Sequence, residues 1–145
     1  MANRFGAILI ISGFFLLGCS RGWSAEWKQY FKTDYSQYYF DSETLSYPSD
    51  YTVRVLVKLV FTSKGVQSTV QTLGKEYENL DYSIQSLEIN CTVKTLNLMQ
   101  VIAYSKMGSV ISREEYSISD WRPIPPKTPY EALQKEVCKP PKRQR

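Results

Sequence analysis

Alternation of apolar and polar positions dominates this chain and predicts a fold rich in β-strands. Residues 86–94 alternate without interruption. Their apolar positions are Leu87, Ile89, Cys91 and Val93. Successive side chains of a strand leave opposite faces of a sheet, so this pattern is typical of a strand with one buried face. Cys91 is predicted to belong to that buried set.

Residues 51–62 contain the clearest strand. One predicted face carries Val53, Val55, Val57, Leu59 and Phe61. The other face carries Arg54, Leu56, Lys58 and Val60. β-branched residues dominate, as a pleated surface prefers. The mixture of charged and aliphatic residues on the second face predicts that it is only partly solvated.

Further strands are predicted at residues 26–32, 36–41 and 82–103, with a return strand at 110–118 after a loop at 105–109. Within 82–103 the apolar positions change from odd to even numbers around Lys94 and Thr95, which predicts a β-bulge or bend. Leu96, Leu98 and Ile102 are the even-numbered apolar residues. Residues 63–81 are the least patterned part, with a turn at 63–65 and a short strand or an exposed excursion at 66–73.

A short helix is predicted near the C-terminus. Thr128 is suited to the N-cap, Pro129 to the first helical position, and Glu131 to a capping box. Tyr130, Leu133 and Val137 have the spacing of one helical face. The predicted fold class is therefore α+β and mainly β: an antiparallel sheet of about six strands with a C-terminal helix packed on it.

The N-terminal residues resemble the export signal of a bacterial lipoprotein. Arg4 precedes an apolar run at 5–17, which is shorter than the ~20 residues of a membrane-spanning helix. Leu16-Leu17-Gly18-Cys19 then resembles a lipobox, with lipid carried by Cys19. By resemblance to lipoproteins of Gram-negative bacteria, Ser20 in place of Asp after the lipid-carrying cysteine implies sorting to the outer membrane. Ordinary signal cleavage near Ala25 is the alternative.

This organisation divides the chain into four parts. The predicted boundaries are a signal peptide at 1–18, a lipidated tether at 19–25, a single domain at 26–139 and a basic tail at 140–145. If Cys19 carries lipid, Cys91 and Cys138 are the remaining thiols in an oxidising compartment. They form either a disulfide between sheet and helix or two separate buried thiols.

Candidate chemistry is sparse. The chain contains no histidine, which excludes Ser-His and Cys-His nucleophiles and histidine-ligated metals. No cofactor-binding motif is present, and Glu114 and Glu115 face opposite sides of a predicted strand. A net charge of +4 is too small to indicate nucleic-acid binding. We therefore expect neither an enzyme nor a cofactor.

Binding to another protein is the remaining function class with some support. Tyr38, Tyr39, Arg54 and Lys58 are the candidate contact residues, because aromatic rings and cations on an open sheet face suit a protein or peptide. Aromatic clusters of this kind more often serve sheet packing. The alternatives are a periplasm-facing structural or accessory lipoprotein and a small-molecule-binding protein.

The chain resembles the surface-adhesin protein E family of bacterial outer-membrane lipoproteins. The resemblance is carried by the lipobox at 16–19, the segments 37–44, 52–61 and 87–91, the hairpin at 104–108, and a terminal helix with Cys138. It implies an antiparallel sheet of about six strands tied to the helix by a Cys91–Cys138 disulfide. It also implies a surface adhesin that binds a protein partner and is able to form a homodimer.

Overall fold

The computed structural model describes residues 25–116 and 120–139, so the predicted signal peptide, Cys19 and the basic tail lie outside the described residues. The described residues form eight strands and two helices. The strands are β1 (Trp27–Lys32), β2 (Ser36–Asp41), β3 (Ser46–Ser49), β4 (Thr52–Phe61), β5 (Leu80–Asn90), β6 (Thr95–Ser105), β7 (Val110–Glu115) and β8 (Arg122–Pro123). The helices are α1 (Ser63–Leu73) and α2 (Pro129–Val137), with a short 3₁₀ turn at Lys75–Tyr77.

All strand pairs are antiparallel and belong to one sheet. The main order is β1-β2-β4-β5-β6-β7. In addition, the short strand β3 pairs with β4, and the short strand β8 pairs with β6. The prediction of a mainly β fold with about six antiparallel strands and a C-terminal helix is confirmed. The prolines of β3 and β8 lie at sheet edges, where a missing N–H costs no ladder hydrogen bond.

Both helices cover the same face of the sheet. Leu133 and Val137 of α2 pack on the odd-numbered residues of β4 and on Leu87 and Ile89 of β5. The valines of α1 pack in a second cluster with Tyr77, Leu80 and Ala103, and Phe61 touches both clusters. Helix α2 contacts β1 and also lines a cavity with Leu96 of β6, so the sheet curves around it.

The disulfide between Cys91 and Cys138 joins the sheet to the end of α2. The two Cα atoms are 5.5 Å apart and the residues are separated by 47 positions. The paired interpretation of these cysteines is thereby confirmed over that of two separate thiols. Cys91 itself is half-buried and lies just beyond β5, at the first position of a turn, rather than inside a strand.

The change of apolar phase near Lys94 marks a hairpin, so the predicted bulge or bend at this position is wrong. The side-chain oxygen of Asn90 accepts hydrogen bonds from the N–H groups of Thr92 (3.0 Å) and Val93 (3.2 Å). Lys94 takes a left-handed conformation with φ of 55°. The chain therefore reverses at 91–94, and Val93, which was expected on the buried face, is exposed.

A bulge does occur in β6, but four residues farther along. Ser86 pairs with Gln100 while Leu87 pairs with Leu98, which leaves Met99 as the extra residue. The bulge moves Ile102 onto the face opposite to that of Leu98. The sequence-based assignment of Ile102 to the same face as Leu96 and Leu98 is therefore wrong.

Residues 63–73 form helix α1, not the predicted turn followed by a strand or excursion. The Thr62 hydroxyl oxygen caps the helix by accepting a hydrogen bond from the N–H of Gly65 at 3.2 Å. Val66 and Val70 are four residues apart and pack in the second cluster. Gly74 ends the helix with φ of 125°, a conformation that side-chain-bearing residues rarely adopt. The β-branched composition concealed this helical spacing.

Helix α2 begins as predicted at Thr128, whose hydroxyl oxygen accepts from the N–H of Glu131. The reciprocal bond differs from a standard capping box, because Glu131 accepts from the N–H of Lys127 at 2.9 Å. That bond, followed by the Lys135 side chain, lowers the pKa of Glu131. In the described part of the chain, no helix has the length and apolar character needed to cross a membrane.

Candidate protein-binding surface

No described helix covers the face of the sheet that points away from α1 and α2. We define this open face by the side chains that the strand register places there. Its apolar, aromatic, basic and uncharged polar members include Trp27, Tyr39, Arg54, Leu56, Lys58, Val60, Tyr82, Ile84, Ser86, Asn97, Gln100, Ile102, Tyr104 and Arg113. Its acidic members are Asp41 and Glu88, which are buried, and Glu115, which is exposed. Most members of the open face are half-buried by their neighbours on the same face.

Lys58, near the middle of the open face, lies in a row with the aromatic rings of Trp27, Tyr82 and Tyr104. The Lys58 ammonium lies 4.4 Å from the ring centre of Tyr82 and 5.9 Å from that of Trp27. Tyr82 in turn stacks on Tyr104 of the next strand, with ring centres 4.8 Å apart. The row thus runs from β1 through β4 and β5 to β6. An ammonium this close to aromatic rings is attracted by the negative faces of their π systems.

Lys58 differs from Arg54 in how its charge is compensated. Arg54 donates from Nε (3.1 Å) and a terminal nitrogen (2.6 Å) to one oxygen of Glu88, which is buried. The Arg54 charge therefore compensates a carboxylate of its own chain. Among the described residues, no carboxylate lies within ion-pair distance of Lys58. Lys58 is consequently better able than Arg54 to meet an acidic group of a partner.

The four binding candidates from the sequence do not share one face. Tyr39, Arg54 and Lys58 lie on the open face, and the Tyr39 hydroxyl donates to Gln37 at 2.6 Å. Tyr38 points to the helix side, where its ring packs against Tyr30 with ring centres 6.2 Å apart. Burial raises the pKa of Tyr38. Tyr38 is thus placed as a core residue and is not a member of the open face.

Trp27, Tyr82 and Tyr104 are contact candidates that sequence reasoning missed. Tyr82 and Tyr104 are 22 positions apart and become neighbours only because they are partners in the β5–β6 ladder. The available signal was that Tyr82 has an even number and the buried Leu87 an odd number, so their side chains leave opposite faces of strand β5. Trp27 was assigned to the first strand, but its contact with Lys58 required the register of three strands.

Two of the concave regions of the described residues border helix α2. A cavity of about 630 Å³ separates the β3–β4 turn from the end of α2, and Tyr47, Tyr51, Cys138 and Lys139 are among its lining residues. A smaller cavity of about 270 Å³ is lined by apolar residues of β6, by two tyrosines and by the Asp120–Arg122 ion pair. The Arg122 guanidinium lowers the pKa of Asp120.

Neither cavity brings together groups suited to acid–base or metal chemistry. Each contains few ionisable side chains, and the Lys139 ammonium already binds Glu136 at 2.8 Å. In residues 25–116 and 120–139, no group of three or more His, Cys, Asp or Glu side chains is arranged to hold a metal ion. The open face therefore remains the surface that best suits binding.

Comparison with known proteins agrees with the resemblance noted in the sequence. The model of the family described as surface-adhesin protein E matches residues 27–139, which include every described strand and helix. No curated protein and no solved structure matches the chain. The family match supports an adhesin-like protein of the cell surface and suggests a non-enzymatic role.

Proposed function

We propose, because the chain belongs to the surface-adhesin protein E family, that its domain is a non-catalytic adhesin module which binds another protein through the open face. The observation that carries this proposal is the row of Trp27, Lys58, Tyr82 and Tyr104 on a sheet face that no described helix covers. Tyrosine and tryptophan provide large contact areas with few rotatable bonds, which favours their use in protein interfaces.

The dimensions of the open face suit a protein partner. Six strands are separated by five spacings of about 4.8 Å, and β4 and β5 pair over nine residues. The face therefore extends over roughly 24 by 30 Å, on the order of 700 Å². A stable protein–protein interface covers about 800 Å² of each partner. Lys58 at its centre favours a partner that presents a carboxylate beside apolar or aromatic side chains.

We further propose that the domain is held at the bacterial outer membrane by lipid on Cys19. The supporting observations are the apolar run at 5–17, the lipobox-like Leu16-Leu17-Gly18-Cys19 and a cysteine count that leaves Cys19 outside the disulfide. Cys19→Ala should release the protein from membranes, as measured by fractionation of cells. Retention of this variant in the membrane fraction would contradict the anchor.

The binding test compares two lysines that both lie over tyrosine rings. Cells displaying the full chain are applied to surfaces coated with purified extracellular-matrix proteins or with serum proteins. Lys58→Met is expected to reduce adhesion several-fold. Lys64→Met is the matched control, because the Lys64 ammonium lies 4.7 Å from the ring of Tyr35 and away from the open face. Equal adhesion by both variants, when the wild type adheres and its domain is digested on intact cells, would contradict binding through the open face.

The side of the membrane is tested by protease treatment of intact and permeabilised cells. Digestion of the domain on intact cells is expected for a surface adhesin. Digestion only after permeabilisation would favour the alternative of a periplasm-facing accessory lipoprotein. In that case the open face would meet a periplasmic protein, and the adhesion assay would show no effect of either lysine variant.

A further inference from the structure

We infer that one end of the sheet, here named the anchor end, rests on the lipid surface in which the anchor is embedded. The anchor end consists of Tyr47 in β3, the β3–β4 turn with Tyr51, the β5–β6 turn with Val93 and Lys94, and Lys139 after α2. This inference rests on the proposed lipidation of Cys19. It adds an orientation of the domain and a second contact surface, with a phospholipid headgroup layer as the partner.

The parts of the anchor end are neighbours in space. Thr52 pairs with Asn90, and Asn90 pairs with Thr95, so the β3–β4 and β5–β6 turns leave the sheet at the same end. The N–H of Cys91 donates to the carbonyl oxygen of Tyr51 at 2.8 Å, which connects the two turns directly. The disulfide brings the end of α2 to the same place.

The start of the domain is also directed toward this end. Trp27 pairs with Asp41, and the N–H of Ser42 donates to the carbonyl oxygen of Glu26 at 3.1 Å. β2 runs toward the anchor end at this point, and the antiparallel β1 runs away from it. The chain that precedes Glu26 therefore approaches β1 from the side of the anchor end.

The length of the tether limits how the domain can be placed. Glu26 follows Cys19 by seven positions, and a fully extended chain of this length spans at most about 25 Å. Phe40 pairs with Val57, so Glu26 lies near the level of Val55, roughly 10 Å from the Thr52 end of β4 and roughly 20 Å from its Phe61 end. To lay the opposite end of the sheet on the membrane, the chain would have to reverse its direction before Glu26 and use most of this reach. The anchor end is the nearer end and lies on the side from which the chain enters β1.

The exposed side chains of the anchor end are suited to a headgroup layer. Tyr47, Tyr51 and Val93 are 63%, 61% and 64% exposed, respectively. Tyrosine is enriched where membranes meet water, because its ring is apolar and its hydroxyl group forms hydrogen bonds. The two tyrosines border the cavity of about 630 Å³, which is large enough to admit part of a headgroup.

The described part of the anchor end carries charges of both signs, and the sequence that follows Lys139 is basic. Lys94 is exposed, the Lys139 ammonium binds Glu136, and Asp50 contributes a negative charge. The residues that follow Lys139 in the sequence include Lys142, Arg143 and Arg145. Basic residues close to an anionic membrane surface are attracted to it. A layer that contains anionic phospholipid is therefore the preferred surface.

The opposite end of the sheet provides an internal control. It exposes Tyr35, Met107 and Lys106, and it carries the β6–β7 turn at 106–109. Lys106 and Lys94 are both exposed lysines in hairpin turns, but they belong to opposite ends. If the anchor end rests on lipid, an amine-reactive reagent in the water phase should distinguish them.

The test uses the full lipidated chain in vesicles of phosphatidylethanolamine and phosphatidylglycerol. Labelling of each lysine is quantified by mass spectrometry and compared with the protein in detergent. We expect labelling of Lys94 to fall several-fold on vesicles while that of Lys106 stays unchanged. The double variant Tyr47→Ser/Tyr51→Ser should restore labelling of Lys94, whereas Tyr35→Ser should not.

The outcomes separate this inference from the proposed anchor. Flotation of the protein with vesicles and unchanged labelling of Lys94 would overturn the inference alone, since the anchor would hold while the domain stands clear of the lipid. Protection of Lys106 instead would overturn it by inverting the domain. Absence of the protein from floated vesicles would overturn both the lipid anchor and the orientation that depends on it.

Discussion

The ammonium group of Lys58 lies 4.4 Å from the ring centre of Tyr82, on the face of the sheet opposite to both helices. A lysine in the central part of a sheet is usually exposed to water or paired with a carboxylate. Here aromatic rings from two other strands surround it, which holds a positive charge at a fixed position on a broad surface. A fixed charge binds a partner at a smaller entropic cost than a mobile one.

We predict that Tyr82→Leu weakens partner binding while changing the stability of the domain little. The substitution removes a cation–π contact worth about 0.5–1 kcal/mol and the stacking on Tyr104. Urea unfolding should therefore show a loss of about 1 kcal/mol. In the adhesion assay, Tyr82→Leu should reduce adhesion more than the control variant Lys64→Met does. A large loss of stability would instead assign the row a structural role.

Loss of the disulfide should destabilise the domain by about 4 kcal/mol, because a cross-link over 47 positions restricts the unfolded chain. The change is Cys91→Ala combined with Cys138→Ala, and the measurement is urea unfolding without reductant. Wild-type protein in reductant should unfold at nearly the same urea concentration as the double variant. A double variant as stable as the oxidised wild type would contradict a stabilising role for the cross-link.

Gly65→Ala should destabilise the domain more than Gly108→Ala. A Cβ atom at position 65 would lie 2.0 Å from the backbone oxygen of Tyr35, so β2 or helix α1 would have to move. We expect the free energy of unfolding to fall by about 3 kcal/mol, the upper part of the range for overpacked sites, because the close atom belongs to the backbone. Gly108 has φ of 79° but open space around it, so alanine there costs only about 1–2 kcal/mol of backbone strain. Thermal unfolding of both variants checks the order.

Tyr30→Phe should stabilise the domain at neutral pH. The Tyr30 hydroxyl is buried without a hydrogen-bond partner among the described residues, and an unsatisfied buried polar group costs about 1–3 kcal/mol. Phenylalanine keeps the ring that packs against Tyr38 and Phe40. Urea unfolding should show a gain of about 1 kcal/mol. A loss of stability would indicate that the hydroxyl has a partner, such as an internal water.

The same variant should change the response to alkaline pH. Burial, followed by the neighbouring Tyr130 and Tyr38, raises the pKa of Tyr30 above its usual value of 10.0. A raised pKa in the folded state stabilises the fold below pH 10, and this contribution is lost as the pH rises above that value. Stability should therefore fall above pH 10, and less steeply in Tyr30→Phe. Some dependence should remain, because burial also raises the pKa of Tyr130.

Local sequence determined the elements whose signals lie within a few residues. The alternation of Val53, Val55, Val57 and Leu59 predicted the buried face of β4, and Thr128 with Pro129 predicted the start of α2. These predictions succeeded because a strand face repeats every two residues and a helix cap needs only one turn of chain. The cysteine count, together with the family resemblance, likewise predicted the Cys91–Cys138 pair.

Long-range pairing decided the remainder. Helix α1 was missed because its β-branched residues favour a strand, and packing of Val66 and Val70 outweighed that preference. The hairpin at 91–94 depended on the Asn90 side chain and on a left-handed Lys94. The open face depended on the register of β1, β4, β5 and β6, which brings Trp27, Lys58, Tyr82 and Tyr104 together. Register is set by contacts across strands, so composition and spacing along one strand do not determine it.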